Sequence, residues 1–262
     1  RHDARHDARH DANIRKYVPF FTVLHFMKGH IHFSGSGGGY HYQIGIASII
    51  SQYFKDELKH TYITGSSGGC VAAMLLSLND SNINYDHVVQ NVTHNLVCDV
   101  NQCYTGFWLN WDHYIYNTLL SFLQNHSLDL LNLHSGIFIT QKTNTFPFFN
   151  SVLVQKWNSI QEYANCICAS SYIPFYSKSS FFKTYNNSIC LDGSMLSHSN
   201  ILHNLKVLYT NQMSFSVSHI PFKYLFNPAN NDLNKKLYHM GQSYALGRIN
   251  ELREFFNSYK IH

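Results

Sequence analysis

The chain has 262 residues, 45% of them hydrophobic and 13% charged, with a formal net charge of +4 when its 18 His are counted neutral. That length suits one domain with a core large enough to need neither disulfides nor metal. The apolar fraction excludes a wholly disordered chain, and the absence of a period running through the body excludes collagen, a coiled coil and a repeat array.

Residues 1–12 read Arg-His-Asp-Ala three times. A polar repeat with no apolar face buries nothing, so 1–13 reads as a disordered tail and 14–262 as the folded domain. The stretch Tyr17 to Phe26 is too short for a membrane span and contains His25. An apolar, β-rich stretch around Ile31-His32-Phe33 leads into Ser34-Gly35-Ser36-Gly37-Gly38-Gly39. Ile44, Ile46, Ala47, Ile49 and Ile50 then predict a helix ending near Tyr53. A short strand at 61–64 runs into Gly65-Ser66-Ser67-Gly68-Gly69, and a helix is predicted over 70–77. Strand, glycine turn and helix, given twice, is the alternation of an α/β domain.

Residues 80–135, rich in Asn, His, Tyr and Trp, read as helices with polar loops. Strands are predicted at 136–140 and 151–154. Ser159 with Glu162 three residues on forms a capping box, opening a helix that Pro174 is expected to end. A strand at 188–191 precedes Asp192-Gly193. From Leu233 to Phe256, apolar residues three or four apart predict one amphipathic helix.

Six cysteines, Cys70, Cys98, Cys103, Cys166, Cys168 and Cys190, contain no CxxC pair and read as reduced, mostly buried thiols. The basic residues form no stripe, so nucleic acid is not an expected partner. The dispersed histidines show no metal-ligand spacing and read as surface or core residues; no metal and no cofactor is expected.

Three segments carry chemistry. Gly65-x-Ser67-x-Gly69 between a strand and a helix is a nucleophile elbow, with the two glycines relieving crowding at the turn. The following helix aims free amides and its positive dipole end at the serine. The loop Gly35–Gly39 offers close-approaching amides to an oxyanion. A phosphate cradle fits less well, since no P-loop lysine follows and Gly45 lies too far on for a dinucleotide fingerprint. Asp192-Gly193 alone is an ordinary turn dipeptide.

Taken in order, these three segments resemble the patatin-like phospholipases, most of all the adiponutrin branch. The likeness rests on Phe33-Ser-Gly-Ser-Gly37 followed by Tyr42 and Gly45, and on GxSxG. It extends through Leu153-Val154, Ala169-Ser-Ser-Tyr-Ile-Pro-Phe-Tyr-Ser177, Asp192-Gly193 and the helix after Phe226-Asn-Pro228. The resemblance implies a three-layer α/β/α sandwich with a mostly parallel central sheet. It implies Ser67 as nucleophile and Asp192 as general base, without a histidine. Gly35, Gly37, Gly38 and Gly39 would form the oxyanion hole, and Gly65 and Gly69 the elbow. The implied activity is lipid acyl hydrolysis, of phospholipid or glyceride, at a peripheral membrane or lipid-droplet surface. With no signal peptide or span in view, an intracellular, cytoplasmic or peripherally membrane-associated protein is expected. Where the family has Gly or Ala after Asp-Gly, this chain has Ser194, whose hydroxyl is placed to bond Asp192 and weaken it as a base. The alternatives are a Ser-Asp-His esterase using His198, His203 or His219, an inactive lipid-surface scaffold of the same fold, and an acyltransferase. For interfacial contact the candidates are Phe107, Trp108, Trp111 and Phe175, each of which a core role also explains.

Overall fold

The computed structural model describes residues 27–79, 82–92, 110–209, 211–221, 224 and 230–258. The repeat tail, Tyr17 to Phe26, Cys98, Cys103, Phe107, Trp108 and Phe226-Asn-Pro228 lie outside the described residues.

The chain forms a mixed α/β structure around a seven-stranded sheet of order β5-β6-β3-β2-β1-β7, with β4 also paired to β3. Strand β1 (Gly29–Phe33) lies parallel to β2 (Thr61–Ser66) and to β7 (Asn211–Phe215), and β2 lies parallel to β3 (Ser135–Lys142). At the far side β4 (Phe149–Val154) and β6 (Ser188–Leu191) pair antiparallel to β3, and β5 (Lys183–Tyr185) antiparallel to β6. Five of the seven strands therefore point the same way.

Strand period sorts the residues onto two faces. Ile31, Phe33, Ile63, Ile137, Ile139 and Phe215 join the main core, beneath α1 (Tyr40–Tyr53), α3 (Gly69–Leu78), α7 (Ile160–Ser170) and α9 (Asn231–Gly247). Each such side chain contributes about 1.5–3 kcal/mol by leaving water. His30, His32, Tyr62, Thr64 and Phe138 point the other way, where Leu205 of α8 (Ser199–Leu208) packs with Tyr62, Phe138 and Tyr209. Helices thus cover both faces, an arrangement compatible with an α/β/α sandwich. Helix α2 (Lys55–Leu58) lies between α1 and β2, and between α3 and β3 come helical residues 85–92 (α4), α5 (Trp111–Leu123) and α6 (Leu128–His134).

The first two strand–turn–helix units fall where the sequence places them. Several boundaries differ. The 61–64 strand continues to Ser66, carrying the ladder to the residue before Ser67. The capping box at Ser159 is present, Glu162 N donating to Ser159 Oγ at 3.1 Å, but the Glu162 carboxylate accepts from Asn158 N rather than from the cap residue. The helix it opens ends at Ser170, not at Pro174, because the chain must turn there to bond β3 and the Asp192 loop. The C-terminal helix is two helices, α9 and α10 (Ile249–Asn257), broken at Arg248. Arg248 bonds Tyr244 and Glu251 at 2.8 and 2.6 Å, and the poor helix former Gly247 precedes it. Strands β5 and β7 and helix α8 have no counterpart in the sequence reading. Cys70, Cys166, Cys168 and Cys190 are free and buried, and burial raises the pKa of each thiol. Among the described residues no helix is long and apolar enough to cross a membrane.

Candidate active site

At the end of β2 the chain leaves the sheet through Ser67, whose φ is 50°. A left-handed backbone costs a non-glycine residue about 1–2 kcal/mol, so the turn must be held by what surrounds it. Cys70 N closes the turn onto the Ser67 carbonyl at 3.0 Å, and α3 begins at Gly69 with its N-terminus toward the serine. Cys70 N and Val71 N are taken by the Ser67 and Gly68 carbonyls, so this end of α3 favours negative charge through its dipole. Gly65 and Gly69 supply the space this needs. A Cβ at Gly65 would lie 2.7 Å from Cys70 Cα, and one at Gly69 would overlap the carbonyl oxygens of Phe33 and Ser34.

Asp192 follows β6 and is clamped through its backbone. Asp192 N donates to the Tyr172 carbonyl at 2.9 Å, Gly193 N to the Ser170 carbonyl at 2.7 Å, and Thr140 Oγ1 to the Asp192 carbonyl at 2.8 Å. A side chain at Gly193 would collide with the Phe138 carbonyl and Ser170 Oγ, so only glycine fits. Ser67 Oγ donates to Asp192 Oδ2 at 2.6 Å. Ser194 donates to Oδ1 twice, from its amide at 2.8 Å and its hydroxyl at 2.5 Å. Burial raises the Asp192 pKa, because a carboxylate loses its hydration; the hydrogen bonds from Ser194 and Ser67 pull it back down. The Ser194–Asp192 bond expected from the sequence is thus made.

Ser170 joins the two halves, and the sequence reading assigned it no role of its own. Its hydroxyl donates to the Phe138 carbonyl at 2.6 Å and accepts from Ser67 N at 2.8 Å. One buried side chain thereby links the nucleophile turn, β3 and, through its carbonyl, the Asp192 loop. The only signal in the sequence was its place in the Ala169–Ser177 stretch.

The glycine loop closes the third side. Gly37 adopts φ 49° in the 3₁₀ turn Gly37–Gly39, and Gly39 N donates to the Ser36 carbonyl at 2.8 Å. Gly39 therefore spends its amide on the turn and is set aside as an oxyanion donor. Gly37 and Gly38 line the same cavity as Ser67 and Asp192. Gly35 meets the Asp192 loop: a Cβ there would fall 2.6 Å from Ser194 Oγ and 3.4 Å from Ser67 Cβ. Gly35 lines the cavity with Gly37 and Gly38 and also packs between the two loops.

The cavity holds about 430 Å³ and extends from the dyad between Val71, Met74, Ile115, Leu119, Phe122 and Ile167. Its lining also includes Ile173, Pro174 and the exposed Met195. Trp111, offered from the sequence as an interfacial residue, is buried, whereas Phe175 is 56% exposed.

No imidazole bonds Ser67 or Asp192 among the described residues. His198 Nδ1 bonds Ser151 Oγ at 2.7 Å, His219 packs on Tyr42 and Tyr244, and His203 is exposed. A second buried polar cluster was not foreseen. His30 Nε2 and His32 Nδ1 share the Thr64 hydroxyl at 2.8 and 2.9 Å, and the His198 ring lies 6.0 Å from that of His32. Burial drives His30 and His32 down to about 3 and His198 to about 4. His30-x-His32 on a strand was the available signal, since residues two apart share a face. Among the described residues no group of three or more His, Cys, Asp or Glu has the arrangement of a metal site.

Compared with models of known protein families and with curated proteins, the chain matches none.

Proposed function

We propose that this protein is a lipid acyl hydrolase of patatin type, cleaving carboxylic esters of phospholipid or glyceride through a Ser67–Asp192 dyad. The observation that carries the reading is the direct 2.6 Å bond from Ser67 Oγ to Asp192 Oδ2 at the end of an apolar cavity. A serine in a strained strand-to-helix turn, bonded to a carboxylate whose pKa is raised, is a nucleophile with its base in place.

In the first step Ser67 Oγ bonds the ester carbonyl carbon while its proton passes to Asp192, and the carbonyl oxygen takes the electron pair. The amides of Gly37 and Gly38 and the α3 N-terminus stabilise that oxyanion; one such donor is commonly worth about 3 kcal/mol. Collapse breaks the bond to the alcohol oxygen, which leaves with the proton from Asp192. Water then repeats the sequence on the acyl-enzyme, with Asp192 taking its proton and returning one to Ser67. The acyl chain fits the apolar cavity, since burying its methylenes contributes about 0.8 kcal/mol each.

The Ser194 hydroxyl favours a second reading, a fold retained as an inert lipid-surface scaffold. It stabilises the ionised carboxylate and lowers its basicity. The test is labelling by a fluorophosphonate, with hydrolysis of a short-chain fluorogenic ester and a labelled phospholipid, by wild type, Ser67→Ala and Asp192→Asn. The proposal expects labelling and turnover in wild type and their loss in both variants with folding intact. An unlabelled, inactive wild type would support the scaffold.

A further inference from the structure

We infer that Phe146, Phe148, Phe175, Phe181, Phe182 and Met195 form the surface by which the protein docks on an anionic lipid interface. All six are exposed, Phe146 at 86%. They come from three places in the chain: the β3–β4 hairpin tip, the loop after α7 and the turn after Asp192. Ring contacts link the phenylalanines in two groups, joined through the chain between Phe148 and Phe149. Phe146 meets Phe148 at 6.2 Å; Phe149, the next residue, meets Phe182 at 6.2 Å; Phe182 meets Phe181 at 4.7 Å, and Phe181 meets Phe175 at 5.5 Å. Soluble surfaces seldom expose this many large apolar side chains on neighbouring loops without a partner.

Both presenting loops are built rather than slack. Thr143 closes the hairpin tip, its single hydroxyl proton shared between the carbonyls of Thr145 and Pro147 at 2.8 and 2.6 Å and its amide donating to the Phe148 carbonyl at 2.8 Å. In the other loop Ser177 Oγ accepts from Ile173 N at 3.0 Å, and Phe175 is held at φ 61°. A bulky residue in the left-handed region is strained, and here the strain presents the ring to solvent.

Charge and position name the occupant. Segments 142–149 and 173–183 contain three lysines and no Asp or Glu. Lys183 is neutralised by Asp112 at 2.7 Å, while Lys142 and Lys178 are exposed and make no ion pair among the described residues. Exposed phenylalanines flanked by free lysines suit acyl chains beneath acidic headgroups. The patch is also continuous with the cavity, since Ile173, Pro174 and Met195 line it and Phe175 follows directly. A lipid held at the patch therefore stands at the entrance to Ser67. The purpose given to the surface rests on the lipid-hydrolase reading; the docking itself needs no chemistry.

The test uses the full chain carrying Ser67→Ala, so that binding is read without turnover. It is sedimented with phosphatidylcholine vesicles, with and without about one third phosphatidylserine. The inference expects binding that is stronger on the anionic vesicles. It expects about tenfold or greater loss for Phe146→Ser with Phe148→Ser, and likewise for Phe175→Ser with Phe181→Ser. Lys142→Ala with Lys178→Ala should abolish the anionic preference. The same surface substitutions in the active background should keep hydrolysis of a soluble short-chain ester, which also shows that they fold. Absence of vesicle binding by Ser67→Ala, or binding that the Phe substitutions leave unchanged, would overturn the inference. So would a concentration-dependent dimer that the Phe substitutions abolish, because the face would then belong to a second copy. Vesicle binding with no ester turnover in the active background would leave docking standing and sink the hydrolase reading instead.

Discussion

Two buried polar clusters sit on the same sheet and do different things. One is His30, His32, Thr64, Ser151 and His198 on the α8 side. The other is Ser67, Ser170, Asp192 and Ser194 at the strand ends. Both bury titratable groups and bond them to hydroxyls at short range, but His30 Nδ1 and His198 Nε2 are buried with no hydrogen-bond partner among the described residues. In the first, burial drives each imidazole to its neutral form and none of the three borders the cavity. In the second, burial raises the pKa of a carboxyl against the pull of its hydrogen bonds, and the bonded hydroxyl opens on the cavity. A buried polar network becomes a reactive centre only where it meets space that a substrate can enter; elsewhere it specifies packing.

That contrast can be broken in graded ways. The largest effect is expected from Ser67→Ala, which should lower ester kcat by at least about a thousandfold with little change in Tm. A retained rate would place the nucleophile elsewhere. Next is acid. The neutral histidines have folded pKa values of about 3 and about 4, below their unfolded 6.5, so the unfolded chain binds protons first as pH falls. Their contribution is present above about pH 6.5 and is lost progressively down toward pH 3 to 4. Tm should therefore decline across that window, in Ser67→Ala as in wild type; a flat Tm from pH 7 to pH 4 would contradict the buried neutral cluster.

Ser170→Ala removes the hydroxyl between the Ser67 amide and the Phe138 carbonyl. It should cost about 1–3 kcal/mol in chemical denaturation and lower kcat as well, because the nucleophile turn loses its anchor. Thr64→Val should cost a similar amount, about 1–3 kcal/mol, by leaving two imidazoles unpaired, yet keep kcat near wild type. If Thr64→Val lowered kcat as much as Ser170→Ala, the two clusters would be coupled and the contrast would fail. The smallest effect belongs to Ser194→Gly. Losing its hydroxyl bond to Asp192 removes a hydrogen bond that favours the ionised carboxylate, so the acid limb of kcat/KM should move to higher pH. A limb that moved to lower pH would show that Ser194 acts otherwise than on Asp192.

Much of the candidate site was legible before the fold. Ser67, Asp192 and the glycine loop each stand at a strand end with small residues around them, and turn chemistry of that kind is local. Ser170 was not legible as a link, because a serine closing a helix looks like any other until β3 and the Asp192 loop are brought against it. The histidine cluster was half legible. His30-x-His32 shares a face by strand period, but Thr64 and His198 come from other strands and loops. Gly39 shows the converse error, since a glycine-rich run suggests free amides and only the turn reveals which one is already used.

By itself the sequence determined the alternation of strand and helix, the strand ends where polar and small residues collect, and the apolar faces, because these depend on neighbours three or four residues away at most. Tertiary structure alone decided that Ser67 and Asp192, 125 residues apart, share one proton. It also decided that phenylalanines from separate loops meet in one exposed surface. Pairings across such distances are set by how the strands order themselves in the sheet, and no local period encodes that order.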